Sequence, residues 1–205
     1  MPVRFEGILL AAGESRRMGY PKPLLRIGDR TFLEETTASM LEGVPRLIIV
    51  VGAWAERVRP KIPSDPRIAI VENRDWSRGQ LSSLKLGVRA VSGTAEAALV
   101  HLADHPLVRP ATFREMVRYY GSQFPRPSIL IARSGGRRGH PVIFAKPVFD
   151  ELLMASDSVG AKQVVNRDPA RVAYLDIDDP GIALDLDTPE DLARAGLPPP
   201  PPKTD

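Results

Sequence analysis

The chain contains no cysteine, which excludes disulfides and thiolate-held zinc or iron–sulfur centres. Aromatic residues are scarce, at 6%, and the basic residues are scattered, so the dense Lys/Arg stripe of a polynucleotide binder is missing. No apolar run approaches the roughly 20 residues that cross a bilayer. The longest, at 47–51 and 97–100, are strand-sized. The N-terminus, Met1-Pro2-Val3-Arg4-Phe5-Glu6, lacks a signal peptide's apolar stretch and cleavage site, and the chain reads as cytoplasmic. Neither nucleic acid nor membrane is expected as a partner. What is present is ordinary globular material, 43% hydrophobic and 26% charged over 205 residues, enough for one domain with a sizeable core. The net charge of +3 suits an anionic small ligand.

Short apolar runs alternate with amphipathic stretches. Strands are expected at 7–12, 47–51, 68–71, 97–102 and 128–132, and helices at 31–41, 54–58, 81–91 and 112–120. In the stretch 81–91, Leu81, Leu84, Val88 and Val91 recur at helical spacing. This βαβα order predicts an α/β fold: a single-domain, mostly parallel, doubly wound, Rossmann-like sheet whose buried strands are continuous apolar runs. The second half is less regular. A turn-rich loop at 134–139 precedes an expected antiparallel strand at 141–144, helices at 148–154 and 159–166, short strands at 172–175 and 182–186, and a last helix at 188–195. Thr188 is placed to cap that helix, Pro189 suits its first turn, and Glu190 and Asp191 suit its positive end. The domain is expected to span 1–196, with 197–205 a disordered Pro-rich tail.

The strongest signal follows the first strand: Leu10-Ala11-Ala12-Gly13-Glu14-Ser15-Arg16-Arg17-Met18-Gly19-Tyr20-Pro21-Lys22. A small-residue turn at the C-terminal end of a parallel strand is where open α/β sheets bind ligands. Ala12 and Gly13 let backbone N–H groups approach a phosphate, and Arg16, Arg17 and Lys22 add charge. Two other phosphate loops fail. GxxxxGK[ST] would need glycine at Met18, and GxGxxG would need glycine at Ser15. The bland alternative is a tight turn with solvated arginines.

The stretch LAAG-x-S-x-R-M-G-x-x-K resembles the nucleotide-binding signature of the MobA-like nucleotidyltransferases, closest to the molybdenum cofactor cytidylyltransferases. Gly79-Gln80-Leu81-Ser82-Ser83-Leu84 is similar to the segment that lines their nucleotide pocket. Ala103-Asp104-His105-Pro106 is similar to their D-x-P segment, with His105 where those enzymes often carry Gln. Gly139-His140-Pro141-Val142 and Asp185-Leu186-Asp187-Thr188-Pro189-Glu190-Asp191 follow in the same order.

The resemblance implies transfer of a nucleotidyl group, CMP from CTP by preference, to a phosphorylated small molecule, the molybdopterin cofactor by preference. Pyrophosphate would leave, Mg²⁺ would be required, and a molybdoenzyme would be an eventual partner. GTP or another triphosphate, a sugar-phosphate acceptor and a non-catalytic carrier remain alternatives. Leu10, Ala11, Ala12, Gly13, Ser15, Arg17, Lys22, Gly79, Ser82 and Ser83 are the expected nucleotide-binding residues. Arg17, Lys22 and Asp104 are the expected catalytic ones, with Arg138 and His140 on the acceptor. The two anionic substrates demand charge neutralisation above all. Hard Mg²⁺ prefers carboxylate oxygens, and Asp104, just past a strand end, is the first candidate ligand. The second comes from the acidic run 176–191. On a strand Asp185 and Asp187 would share a face, and the resemblance favours Asp185 as the ligand, with Asp187 as the alternative ligand or the residue that holds the helix start. His101, His105 and His140 match no metal pattern such as HExxH, and His101 reads as structural.

Overall fold

The structure, a computed structural model, describes residues 3–202. Residues 1–2, and 203–205 at the end of the expected Pro-rich tail, lie outside the described residues. In chain order the elements are β1 (Phe5–Ala11), a β2–β3 ribbon (Arg26–Ile27 and Arg30–Thr31), α1 (Phe32–Leu41), β4 (Leu47–Val51), α2 (Ala55–Val58), β5 (Ile68–Glu72), α3 (Gln80–Ala90) and β6 (Ala97–Leu102). There follow α4 (Pro110–Ser122), β7 (Ile129–Ser134), β8 (Arg137–Ala145), α5 (Phe149–Met154), α6 (Lys162–Val165), β9 (Val172–Asp176) and α7 (Pro189–Arg194).

Seven strands form one sheet in the order β5-β4-β1-β6-β8-β7-β9. Only β8 runs against its neighbours, pairing antiparallel with both β6 and β7. β1 lies in the interior, paired parallel with β4 and β6. Its side chains alternate between two cores, as the period of two requires. Leu9 joins Leu33, Met40, Phe113 and Met116 beneath α1 and α4. Ile8 and Leu10 join Leu81, Leu84 and Val88 beneath α3. Helices therefore cover both faces, and burial on both faces is why the strands read as unbroken apolar runs. Among the described residues, no helix is long and apolar enough to cross a membrane.

Three expectations are corrected. The segment 134–139 is no open loop: Gly135 (φ 53°) and Gly136 (φ 79°) form the two-residue turn of a β7–β8 hairpin, and β8 starts at Arg137. Consecutive positive φ values are what such turns need. The segment 182–186 is no strand. Pro180–Ala183 winds into a 3-10 turn because the Asp179 side chain accepts from Gly181 N–H and fixes its start. The helix expected over 159–166 is confined to α6, after Gly160 takes φ 80°. Leu197, at the start of the expected tail, packs on Met18, Phe32, Leu186 and Leu192.

The helix α3 approaches β1 closely. A Cβ on Gly87 would meet Ile8 Cγ2 at 2.5 Å. Gly87→Val should therefore overpack the core and destabilise the fold by about 1–3 kcal/mol. A urea unfolding midpoint equal to that of the wild type would contradict this packing.

Candidate active site

The parallel strands end on one edge, and the site is built there. After β1 the chain turns through Ser15, which holds φ 58°. The Ser15 carbonyl accepts from Met18 N–H and Gly19 N–H, at 3.1 and 3.0 Å. Its hydroxyl accepts from Lys22 N–H at 3.1 Å. These bonds fold the loop back so that Lys22 returns beneath the strand ends. Trp54 Nε1 donates to the Glu14 carbonyl at 2.9 Å and pins the other side.

At the end of β6, Ala103 N–H donates to the Leu10 carbonyl at 3.1 Å, which places Asp104 beside the loop. A third segment closes the site. Leu186 N–H donates to the Asp104 carbonyl at 3.0 Å. The next residue, Asp187, is held by its own N–H bond to Asp191 Oδ2, at 3.0 Å. Asp191 is also the N3 partner of Thr188 in the capping box that starts α7.

These segments meet at one ammonium. Lys22 Nζ donates to Asp104 Oδ2 at 2.5 Å and to Asp187 Oδ1 at 2.6 Å. Arg17 donates to the other oxygen of Asp187. Burial alone would lower the Lys22 pKa, but the charge and hydrogen bond of Asp104, with those of Asp187, outweigh it and hold the ammonium above its ordinary value. Burial would raise Asp104, yet the Lys22 charge, with smaller help from His105, holds its carboxyl below the usual range. The pair is therefore fully ionised at neutral pH.

A cleft of about 420 Å³ opens above this cluster. It is lined by Leu10, Ala11, Ala12, Gly13, Ser15, Arg17 and Lys22 from the first loop, by Gly79 and Ser83 at the start of α3, and by Asp104 and Asp187. The structure thus brings together most of the residues expected from the sequence. Two are elsewhere. Ser82 is buried behind the cleft, where its hydroxyl donates to the Gly79 carbonyl at 2.7 Å and accepts from Asn73 Nδ2 at 2.8 Å. Asp185 is exposed and lines no part of the cleft. Without a strand at 182–186, Asp185 and Asp187 do not share a face, and Asp187 takes the place expected of Asp185. Arg138 and His140 line an adjoining cavity instead. Arg16 is engaged by Glu14 at 2.6 Å.

Sequence reasoning misses Asn73. It also donates to Ser83 Oγ at 2.9 Å, and its own Oδ1 accepts from Asp75 N–H at 3.0 Å. The Asn73-x-Asp75 turn after β5 was the available signal. Trp76 and Ser77 also line the cleft unannounced.

The oxygen set fits a hard divalent cation. Asp104 Oδ1 is buried without a hydrogen-bond partner, and Asp187 presents a second carboxylate to the same cleft. Among the described residues no group of three or more His, Asp or Glu side chains could hold a metal, so a cation here would complete its shell with water and phosphate oxygens.

His101 and His105, both buried, and the half-buried His140 from β8 form one group behind Asp104, with ring centroids 5.6–6.2 Å apart. His101 Nε2 lies 3.1 Å from the His105 carbonyl and, as the donor, ties down the turn that carries Asp104. Burial first, then the neighbouring imidazoles, pushes His101 well below its ordinary pKa. Burial and then His105 push His140 to about 4.

A family model for a MobA-like NTP transferase domain matches residues 7–172. The chain is 32% identical to nicotine blue oxidoreductase of Paenarthrobacter nicotinovorans, over 92% of this chain and 94% of that one. It is 29% identical to molybdenum cofactor cytidylyltransferase of Escherichia coli K12, over 92% and 93%. A solved structure, Rv0371c of Mycobacterium tuberculosis H37Rv in complex with manganese, has TM-score 0.78 and 30% identity, covering 95% of this chain and 98% of that chain.

The histidine group gives an acid-side prediction. His140 ionises near 4 in the fold and near 6.5 when unfolded. The unfolded chain therefore takes up the proton first, and stability present above pH 6.5 is lost as the pH falls toward 4, worth up to ~3 kcal/mol. The melting temperature should fall over that window, and His140→Gln should flatten the fall. An identical pH profile for both proteins would dismiss the assignment.

Proposed function

Because the chain belongs to the MobA-like NTP transferase family and is a nucleotidyltransferase, we propose that it moves CMP from CTP to the phosphate of the molybdopterin cofactor, with Mg²⁺ and release of pyrophosphate. The observation that carries this reading is the meeting of Lys22, Arg17, Asp104 and Asp187 in one cleft with the Leu10–Gly13 turn. Preference for CTP rests on the Ala11-Ala12-Gly13 form of that turn and on the Escherichia coli relative. A molybdoenzyme that receives the finished cofactor is the implied partner.

The reaction is an in-line displacement. An oxygen of the acceptor phosphate forms the new bond to the α-phosphorus, and the bond from that phosphorus to the bridging α–β oxygen breaks. The acceptor arrives as an anion, so no strong base is needed, and positioning with charge neutralisation supplies the catalysis. Gly13 and its neighbours bring backbone N–H groups to the triphosphate, and Ser83 and Gly79 lie where base and ribose would pass. Arg17 and Lys22 neutralise the triphosphate and the departing pyrophosphate. Asp104 and Asp187 would hold the magnesium ion, whose charge, when it is bound, offsets the repulsion between the two anionic substrates.

The name of the Paenarthrobacter relative raises hydride transfer as a competing chemistry. The loop after β1 carries Ser15 where the dinucleotide fingerprint requires glycine, while the carboxylates suit phosphoryl chemistry. A pyrophosphate-release screen of CTP, GTP, ATP and UTP against reduced pterin cofactor and sugar phosphates, with NADH and NADPH titrations alongside, separates these readings. CTP with the pterin should give magnesium-dependent pyrophosphate, and neither nicotinamide should saturate. The reverse pattern would replace the proposal.

Within that screen, Asp104→Asn should lower turnover by at least about a hundredfold, the scale of losing one preorganised electrostatic contact, with the fold intact by circular dichroism. Undiminished magnesium-dependent turnover would remove Asp104 from the mechanism. Lys22 and a divalent cation compete for the same two carboxylates. Lys22→Met should therefore tighten manganese binding measured without nucleotide, and weaken CTP binding. Weaker manganese binding in that variant would show that the carboxylates are not the metal's ligands.

A further inference from the structure

The loop that follows β1 is braced from outside by the segment that follows β4. Ala53 N–H donates to the Ala12 carbonyl at 3.1 Å. One residue on, Trp54 Nε1 donates to the Glu14 carbonyl at 2.9 Å. Arg57, in α2, lays its guanidinium over the Trp54 ring at 5.5 Å and over the ring of Tyr20, further along the same loop, at 5.1 Å. Arg57 is exposed and forms no ion pair among the described residues, so these two aromatic faces are its partners.

The two accepted carbonyls decide where the next amides point. In a trans peptide the C=O and the following N–H lie on opposite sides of the chain. With the Ala12 and Glu14 carbonyls turned toward residues 53–54, Gly13 N–H and Ser15 N–H are turned the other way. Neither amide has a hydrogen-bond partner among the described residues, and both residues line the cleft. Ser15 holds this geometry at φ 58°, a left-handed conformation that an L side chain seldom adopts and that needs support from its surroundings. Lys22 N–H on the Ser15 hydroxyl supplies part of that support. Trp54, through the carbonyl one peptide earlier, supplies the other part.

We infer that Trp54 is a positioning residue for triphosphate binding: its indole N–H fixes the Glu14–Ser15 peptide so that the Ser15 amide meets a phosphate oxygen, and Arg57 ties the indole to Tyr20. The inference rests on the nucleotidyl-transfer reading. Trp54 is not part of the cleft lining and acts only through the loop. Without its bond the Glu14–Ser15 peptide is free to turn over. A carbonyl oxygen would then face the cleft where a donor stood, and it repels a phosphate that the amide attracts.

The test titrates inorganic tripolyphosphate and, separately, manganese without any phosphate into the full chain by calorimetry. Trp54→Phe keeps a ring beside Arg57 and removes the donor. It should weaken tripolyphosphate about fivefold, the scale of one net hydrogen bond, and leave manganese binding unchanged, since Asp104 and Asp187 belong to other segments. Arg57→Met, at an exposed position, should weaken tripolyphosphate by a smaller factor. In turnover, Trp54→Phe should raise KM for CTP with kcat held, because the amide grips the triphosphate in ground and transition states alike. Wild-type tripolyphosphate affinity in Trp54→Phe would overturn the inference. So would a matching loss of manganese binding, the sign of a merely loosened site. If Trp54→Phe does not fold, Arg57→Met decides, and unchanged tripolyphosphate affinity there overturns the inference. A wild type that binds no tripolyphosphate brings down the nucleotidyl-transfer reading itself. Wild-type binding that Trp54→Phe leaves intact brings down only the role of Trp54.

Discussion

One ammonium group organises the active edge of this protein. Lys22 stands 82 residues from Asp104 and 165 from Asp187, yet it bonds both. Two carboxylates brought to the same point repel each other in a partly desolvated cleft, and only a cation between them makes the convergence favourable. The three segments cannot be positioned independently, because each charge is compensated by the others. Apolar packing does the rest. Met18 of the first loop and Leu186 and Leu192 of the last segment share one small buried cluster. Burying side chains of that size contributes on the order of 1.5–3 kcal/mol each, which brings the acidic segment to the loop. The ion pairs then fix its register.

That division explains what the sequence reveals. The sheet was legible because its strands are buried on both faces and each is a compact apolar run. The loop from Leu10 to Lys22 was legible because small residues followed by basic ones, directly after a buried strand, have few other uses. Asp104 was legible from its place past the end of β6. The choice between Asp185 and Asp187 was not, since it depends on whether 182–186 is extended or turned. The decisive contact is the Asp179 side chain on Gly181 N–H, a local competition between side chain and backbone that apolar periodicity does not register. Ser82 and Ser83 present the same difficulty. Adjacent residues at a helix start point in different directions, and a buried asparagine from another element, Asn73, bonds both hydroxyls. The histidines carry the same lesson further, because their grouping exists only after β6 and β8 pair.

The histidine group shows how a buried polar cluster serves a neighbouring charge without joining it. His101 is fully buried and packs edge-on to Phe113, with ring centroids 4.9 Å apart. Kept neutral, it donates to the backbone of the turn that presents Asp104. The other face of that turn is held by Leu186 N–H on the Asp104 carbonyl. The carboxylate therefore projects from a backbone clamped on both sides, with one oxygen on Lys22 and the other buried and unpartnered. An acceptor atom fixed in place and not yet satisfied would add little reorganisation cost in meeting a cation.

The reversed strand β8 shapes the cavity that adjoins the cleft. An all-parallel continuation would carry every strand end to the nucleotide edge and leave no hairpin there. Because β8 runs back from the Gly135-Gly136 turn, its first residues, from Arg137 to His140, lie at that same edge, while Val142 and Phe144 descend into the sheet. Arg138 is thereby carried to the mouth of the adjoining cavity and Val142 to its wall. The shared wall of Leu10, Gln80 and Leu102 then sets the two cavities side by side at the end of β1 and β6. A single antiparallel strand in an otherwise parallel sheet is sufficient to create that arrangement.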